Sequence, residues 1–90
     1  MNPEQLYQEL KDLAEKLDVV VREHSFKASI VPVKSGSCRI KGRLHCIIDK
    51  NIPVLKKADI LAQSLADLPH QNLYVMPAVR DHIDKYAAGS

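Results

Sequence analysis

Apolar residues in the first seventeen positions recur with the period of an α-helix. Asn2 and Pro3 mark the helix start, because asparagine is a favoured N-cap and proline fits the first helical position, where no N–H group is needed. The apolar stripe that follows consists of Leu6, Leu10, Leu13 and Leu17. Spacings of three and four residues place these side chains on one face. The pattern predicts an amphipathic helix that ends near Leu17 and turns a mostly acidic face to solvent.

β-branched residues and a glycine-centred turn predict strands after this helix. Val19 to Arg22 has the composition of a first strand. A hairpin is expected next, with strands at about 37–41 and 43–49, because Gly42 supplies the positive φ that a tight turn needs. A proline within Ile30 to Val33 denies a sheet ladder one donor, so that segment is an edge strand at best and otherwise part of a loop.

Helical periodicity returns in the second half of the chain. A second helix is predicted to open at Ile52-Pro53 and to stop before Pro69, since proline cannot continue it. Its apolar stripe consists of Val54, Ala58, Leu61, Leu65 and Leu68. Leu73 to Met76 is expected to be extended, and the next residue begins a last helix that runs from Pro77 to about Tyr86.

This order of elements predicts an α+β fold. The expected arrangement is a three-stranded, mainly antiparallel sheet that includes the β-hairpin, packed by the two longer helices and a short C-terminal helix, because two helices on one face of the sheet bury every apolar stripe. Ninety residues of which 46% are hydrophobic suit one small domain over residues 1–90. No apolar run approaches the length needed to cross a bilayer, and with two cysteines and no export signal we expect a cytoplasmic protein.

Charge is unevenly distributed along the chain. The net charge is only +2, but residues 34–57 carry a single acid, Asp49, against the basic residues Lys34, Arg39, Lys41, Arg43, Lys50, Lys56 and Lys57. A basic hairpin of this kind can follow phosphates, and nucleic-acid binding is therefore one hypothesis. The same charges also serve to keep a sheet edge from aggregating, and the hairpin has no aromatic residue to stack on a base.

The residues that usually carry chemistry do not form a recognisable set. Cys38 and Cys46 are eight residues apart with only His45 beside them, which is not the spacing of a zinc site, so buried or half-buried free thiols are expected and no metal or other cofactor is predicted. No histidine has a partner at a spacing typical of a general base. The second helix also lacks the His-Glu-x-x-His pattern of small zinc peptidases. The sequence therefore favours a protein that is not an enzyme.

Several short segments resemble a family of small bacterial proteins of unknown function. The resemblance lies within residues 36–84 and rests on Gly36 to Gly42, Asp49-Lys50, Ile60 to Ala62 and Leu73 to Arg80. It implies a free-standing bacterial protein and carries over no activity or ligand.

The resulting hypothesis is a small, non-catalytic protein–protein interaction module that binds another protein or a second copy of itself. The alternative is nucleic-acid binding through the basic hairpin region at residues 34–57. The residues proposed to bind a partner are Arg39, Lys41, Arg43 and His45 on the hairpin, with Tyr74 and Arg80 near the last helix. For the last two, a structural role is the competing interpretation, with Tyr74 anchoring the last helix and Arg80 pairing with a nearby acid.

Overall fold

Three helices and three strands form the fold in a computed structural model, which describes residues 1–25, 36–66, 68 and 73–86. In chain order the elements are α1 (Pro3–Lys16), β1 (Val20–His24), β2 (Gly36–Ile40), β3 (Arg43–Asp49), α2 (Val54–Ala66) and α3 (Pro77–Asp84). The α+β class and the order of elements are as the sequence predicts. The uncertain segment from Ile30 to Val33 lies outside the described residues.

Helix α1 has a defined cap at each end. The Asn2 side chain accepts a hydrogen bond from the Gln5 backbone N–H at 2.7 Å. At the other end, the N–H groups of Asp18 and Val19 donate to the carbonyls of Glu15 and Ala14, at 3.1 and 2.8 Å, which is the Schellman pattern. Asp18 takes the left-handed position of this motif, with φ of 62°. The chain is thereby turned sharply from α1 into β1.

The hairpin turns through two residues that both have positive φ. The values are 52° at Lys41 and 81° at Gly42, and the flanking residues Ile40 and Arg43 are paired. Two successive positive φ angles define a type I′ turn, whose twist matches that of the strands it joins. The predicted role of Gly42 is confirmed, and Lys41 shares the same unusual backbone conformation.

The sheet is mixed, and the prediction of a mainly antiparallel sheet is wrong in that respect. The strand order is β1-β3-β2, with β2 antiparallel and β1 parallel to β3. The tight turn forces β2 and β3 to run antiparallel. By contrast, the chain leaves β1 and enters β2 at the same end of the sheet, where His24 lies opposite Asp49 and Gly36 opposite Ile47. Since β3 inserts between these two oppositely directed strands, it must be parallel to β1.

The helices form two layers over one face of the sheet. Helix α1 contacts β1, α2 contacts β2 and β3, and α3 packs against α1 and α2. The core between the layers contains fully buried side chains from α1, β3, α2 and α3, namely Leu10, Cys46, Ile48, Leu61, Leu65 and Ile83. No helix in the described part of the chain is long and apolar enough to cross a membrane.

A polar network ties both helices of the inner layer to the edge strand β1. The Tyr7 hydroxyl donates to Glu23 Oε2 at 2.6 Å, and Lys57 Nζ donates to Glu23 Oε1 at 2.8 Å. Burial raises the pKa of the Glu23 carboxyl, but the hydrogen bonds from Lys57 and Tyr7 outweigh that effect and lower it overall. Burial and the bond to Glu23 raise the pKa of Tyr7, which keeps the phenol protonated as a donor.

A second polar contact joins α2 to α3. His82 Nε2 lies 2.8 Å from Asp59 Oδ1, and the rings of His82 and Tyr86 meet edge to face with centroids 5.9 Å apart. Burial, the charge of Asp59 and a hydrogen bond to it raise the pKa of Tyr86. Asp59 therefore holds two side chains of the C-terminal segment and positions α3 on the bundle.

Candidate functional site

The described helices all lie on one side of the sheet, which leaves the other side without a covering layer among the described residues. Side chains alternate between the two faces of a strand, and Cys46 marks the covered side because its Sγ lies 3.4 Å from Ser64 Oγ of α2. The residues of β3 that alternate with Cys46 therefore face the other side, and the pairing register places their partners on β1 and β2 on that same side. This surface, here termed the open face, comprises Val20, Arg22, His24, Cys38, Ile40, Arg43, His45, Ile47 and Asp49.

An apolar strip crosses the open face. Val20 and Cys38 each lie opposite His45 on the central strand, and Ile47 is the next residue of that strand on the same face. Val20 and Ile47 are half-buried, whereas the Ile40 residue is 46% exposed. The strip therefore presents aliphatic surface and a thiol to solvent at the middle and one edge of the sheet.

Basic side chains border this strip. Arg22 and His24 are exposed on β1, and Arg43 lies at the hairpin end of β3. The Arg43 guanidinium is 3.3 Å from Asp18 Oδ1, with both side chains more than half exposed, and an exposed pair of this kind contributes little stability. The open face thus combines the apolar strip, which His45 interrupts, with a border that carries the charges of Arg22 and Arg43 and, at its far end, of Asp49.

The structure separates the hairpin residues that the sequence grouped together. Arg43 and His45 lie on the open face, whereas Arg39 lies opposite Leu44 on the other face and its Nη1 donates to the Gly42 carbonyl at 3.2 Å. Lys41 is exposed at the turn itself. The four residues therefore share one end of the sheet but not one binding surface.

Tyr74 and Arg80 lie in the outer layer, away from the hairpin in the fold. Tyr74 is 80% exposed, so the interpretation that it anchors the last helix is wrong. That helix is anchored by Val79 and Ile83, which are both buried. Arg80 is half-buried on α3. Proposed roles of these two residues in binding stay predictions.

Tyr74 borders a groove that the sequence reading missed. The groove has a volume of about 250 Å³ and lies between α1 and the segment that leads into α3, lined by Glu9, Asp12, Leu13, Lys16, Tyr74, Val75, Met76 and Val79. The α1 residues recur three and four positions apart, which places them along one line of the helix. The spacing of these α1 residues is visible in the sequence, but the position of residues 74–76 beside them is not.

The two cysteines have different environments. Cys46 is fully buried, and burial raises the pKa of its thiol, although the contact with Ser64 opposes the shift. Both thiols are free, as the sequence predicts, but the exposed position of Cys38 differs from the buried or half-buried one expected for it. Within residues 1–25, 36–66, 68 and 73–86, no three His, Cys, Asp or Glu side chains are placed to hold a metal ion together.

Comparison of the chain with protein-family models, curated proteins and solved structures found no match. The open face and the groove beside α1 are therefore the two surfaces of this chain that can indicate a function.

Proposed function

We propose that this protein is a non-catalytic protein-interaction module that binds its partner on the open face of the sheet. The observation that carries the proposal is the layering of the fold, in which the described helices stack on one side and leave an apolar strip on the other. Contiguous apolar surface with a polar rim is typical of a protein-binding site. The aliphatic strip through Ile40 and Ile47 would supply the desolvated centre of that contact.

The charge on the open face favours a partner with an acidic contact surface. Arg22 and Arg43 give the rim two positive charges, so that a complementary negative rim accelerates association and fixes the orientation of the complex. A second copy bound through the same face would bring like charges together. Self-association is therefore the less favoured form of the proposal.

Two exposed aliphatic residues offer a matched test. Ile40 is 46% exposed on the open face, and Leu55 is 47% exposed on α2. We expect tagged wild type and Leu55→Glu to capture the same proteins from a lysate of the source organism, and Ile40→Glu to lose them, because a glutamate in the strip carries a negative charge into the contact and repels an acidic partner. Identical captures by all three proteins would show that the open face is not the binding surface.

Sedimentation of the same three proteins separates partner binding from self-association. Over a range of protein concentrations, we expect each to remain monomeric in analytical ultracentrifugation. A concentration-dependent dimer of wild type and Leu55→Glu that Ile40→Glu abolishes would instead assign the open face to a second copy.

Nucleic-acid binding is the competing function, since the positive rim also suits phosphates. It predicts backbone amide shifts on the open face and at Lys41 when a duplex or a single-stranded oligonucleotide is added at low salt, and loss of those shifts as salt is raised. The protein-interaction proposal predicts an unchanged spectrum. Shifts that vanish with salt would make nucleic acid the better hypothesis.

A further inference from the structure

The groove beside α1 lies on the helical side of the fold, away from the open face. We propose that it binds an arginine side chain presented by a peptide segment of a partner protein. Three features of the groove argue for this occupant, namely its apolar floor, the carboxylates on one wall and the exposed aromatic ring on the other.

The floor of the groove suits the aliphatic part of a long side chain. Leu13, Val75 and Val79 are buried and Met76 is half-buried, so that the floor is closed and apolar. Methionine adapts its shape to irregular ligands. At about 250 Å³, the space is smaller than the roughly 300–1,000 Å³ of drug-sized pockets. It therefore fits one side chain better than a complete cofactor.

The carboxylates select a cation. Glu9 and Asp12 are three residues apart on α1 and both line the groove, which puts their Cβ atoms about 5–6 Å apart on one wall. Asp12 accepts one hydrogen bond, from Gln8 Nε2 at 3.0 Å, and so keeps acceptor capacity on its second oxygen. Glu9 is half-buried. A planar guanidinium can donate to both carboxylates at once.

Tyr74 supplies the opposite wall. An aromatic residue that is 80% exposed contributes little to the core, and its ring is available to a ligand. Arginine stacks on such rings and forms forked bonds to carboxylates, whereas a lysine ammonium offers neither the plane nor the fork. The combination of Tyr74 with Glu9 and Asp12 therefore favours arginine over lysine.

Lys16 sets the direction of the bound segment. It lines the groove one helical turn beyond Asp12 and is exposed, so the groove has a negative end and a positive end. The arginine is expected at the end formed by Glu9 and Asp12, where Lys16 does not repel it.

The test uses the full chain and three short peptides. Acetyl-Leu-Arg-Leu-amide is titrated into ¹⁵N-labelled protein, and the same peptide with citrulline or lysine in place of arginine provides the comparison. We expect amide shifts confined to residues 9–16 and 74–79, with affinity about tenfold weaker for citrulline, which keeps the shape of arginine but loses its charge. Equal affinity of the arginine and citrulline peptides would overturn the proposal, as would shifts elsewhere.

Near-isosteric variants distinguish recognition from folding. Glu9→Gln with Asp12→Asn should weaken the arginine peptide about tenfold, and Tyr74→Ala should weaken it about three- to fivefold, whereas Tyr74→Phe retains the ring and the affinity. Each variant is accepted only if its spectrum without peptide shows the wild-type fold. Unchanged affinity in the double variant would exclude the carboxylates as the recognition groups.

The positive end of the groove gives a further control. If the groove instead takes an acidic segment, acetyl-Leu-Glu-Leu-amide will bind and Lys16→Ala will abolish its binding. That result would overturn the arginine assignment but would leave the open-face proposal standing, because Ile40→Glu tests that surface separately.

Discussion

Lys41 is held in a backbone conformation that side chains with a Cβ rarely adopt. Its φ of 52° costs a residue with a Cβ about 1–2 kcal/mol, and asparagine tolerates that region better than lysine does. Because Asn-Gly is the favoured type I′ sequence, Lys41→Asn is expected to raise the free energy of unfolding by about 0.5–1 kcal/mol. Urea denaturation with an unchanged m-value measures this gain.

The neighbouring glycine provides the control. A Cβ on Gly42 meets no atom within 4 Å, so Gly42→Ala adds no clash and reports only the cost of φ at 81°. A loss of about 1 kcal/mol is expected. No gain from Lys41→Asn would mean that the turn is not strained at Lys41.

Some single-residue properties follow from the sequence and others do not. The turn at Gly42 and the opposite orientations of His45 and Cys46 were predictable, because they depend only on local turn chemistry and on the alternation of a strand. The positive φ of Lys41 was not, since it follows from the twist of two paired strands. The exposure of Tyr74 also depends on tertiary structure, because it is decided by where α3 packs.

At the scale of elements, Glu23 connects the edge strand to both longer helices. Its pKa lies below the ordinary value of 4.5, so the unfolded chain binds a proton more readily than the folded one. The network therefore stabilises the protein above pH 4.5, and that contribution disappears as the pH falls through the lowered native pKa. Acid is expected to weaken the attachment of β1.

Glu23→Gln tests this contribution. The Glu23 side chain is 32% exposed, so a loss of only about 1 kcal/mol is expected at pH 7. The stability of the wild type should fall more steeply than that of the variant between pH 5 and pH 3, as followed by urea denaturation at each pH. Parallel pH profiles would contradict a lowered native pKa for Glu23.

The periodic patterns of the sequence located the elements well. The stripe that begins at Leu6 became α1, and the second stripe became α2, because burial of an apolar face determines both the spacing and the fold. The parallel pairing of β1 could not be derived in that way. His45 lies opposite Val20, which is far away in the sequence, and no local turn joins their strands.

For the whole molecule, the two thiols report which side of the sheet the helices cover. Cys38 is exposed on the open face and Cys46 is buried beneath α2. An aromatic disulfide reagent is expected to modify one thiol per native molecule, and the second only after denaturation, because access and a raised pKa both protect Cys46. Cys38→Ser should abolish the native reaction. Rapid modification of both thiols would contradict the layering.

Neither candidate surface is local in sequence, which is why composition and spacing revealed only fragments of each. The open face collects residues from all three strands, and the groove joins α1 to a segment about sixty residues later. The hairpin charges were visible in the sequence as a basic run. Only the pairing register shows that these charges are divided between the two faces of the sheet.

The strand order also determines when the sheet can be completed. Among the described strands, β3 comes last in the sequence, yet it is the central strand and the only described neighbour of β1. The hairpin can close locally, whereas β1 must wait for a partner more than twenty residues away, a contact with a higher loop-closure cost. During synthesis, β1 therefore lacks its described partner until residues 43–49 emerge from the ribosome, and we expect its attachment to follow closure of the hairpin.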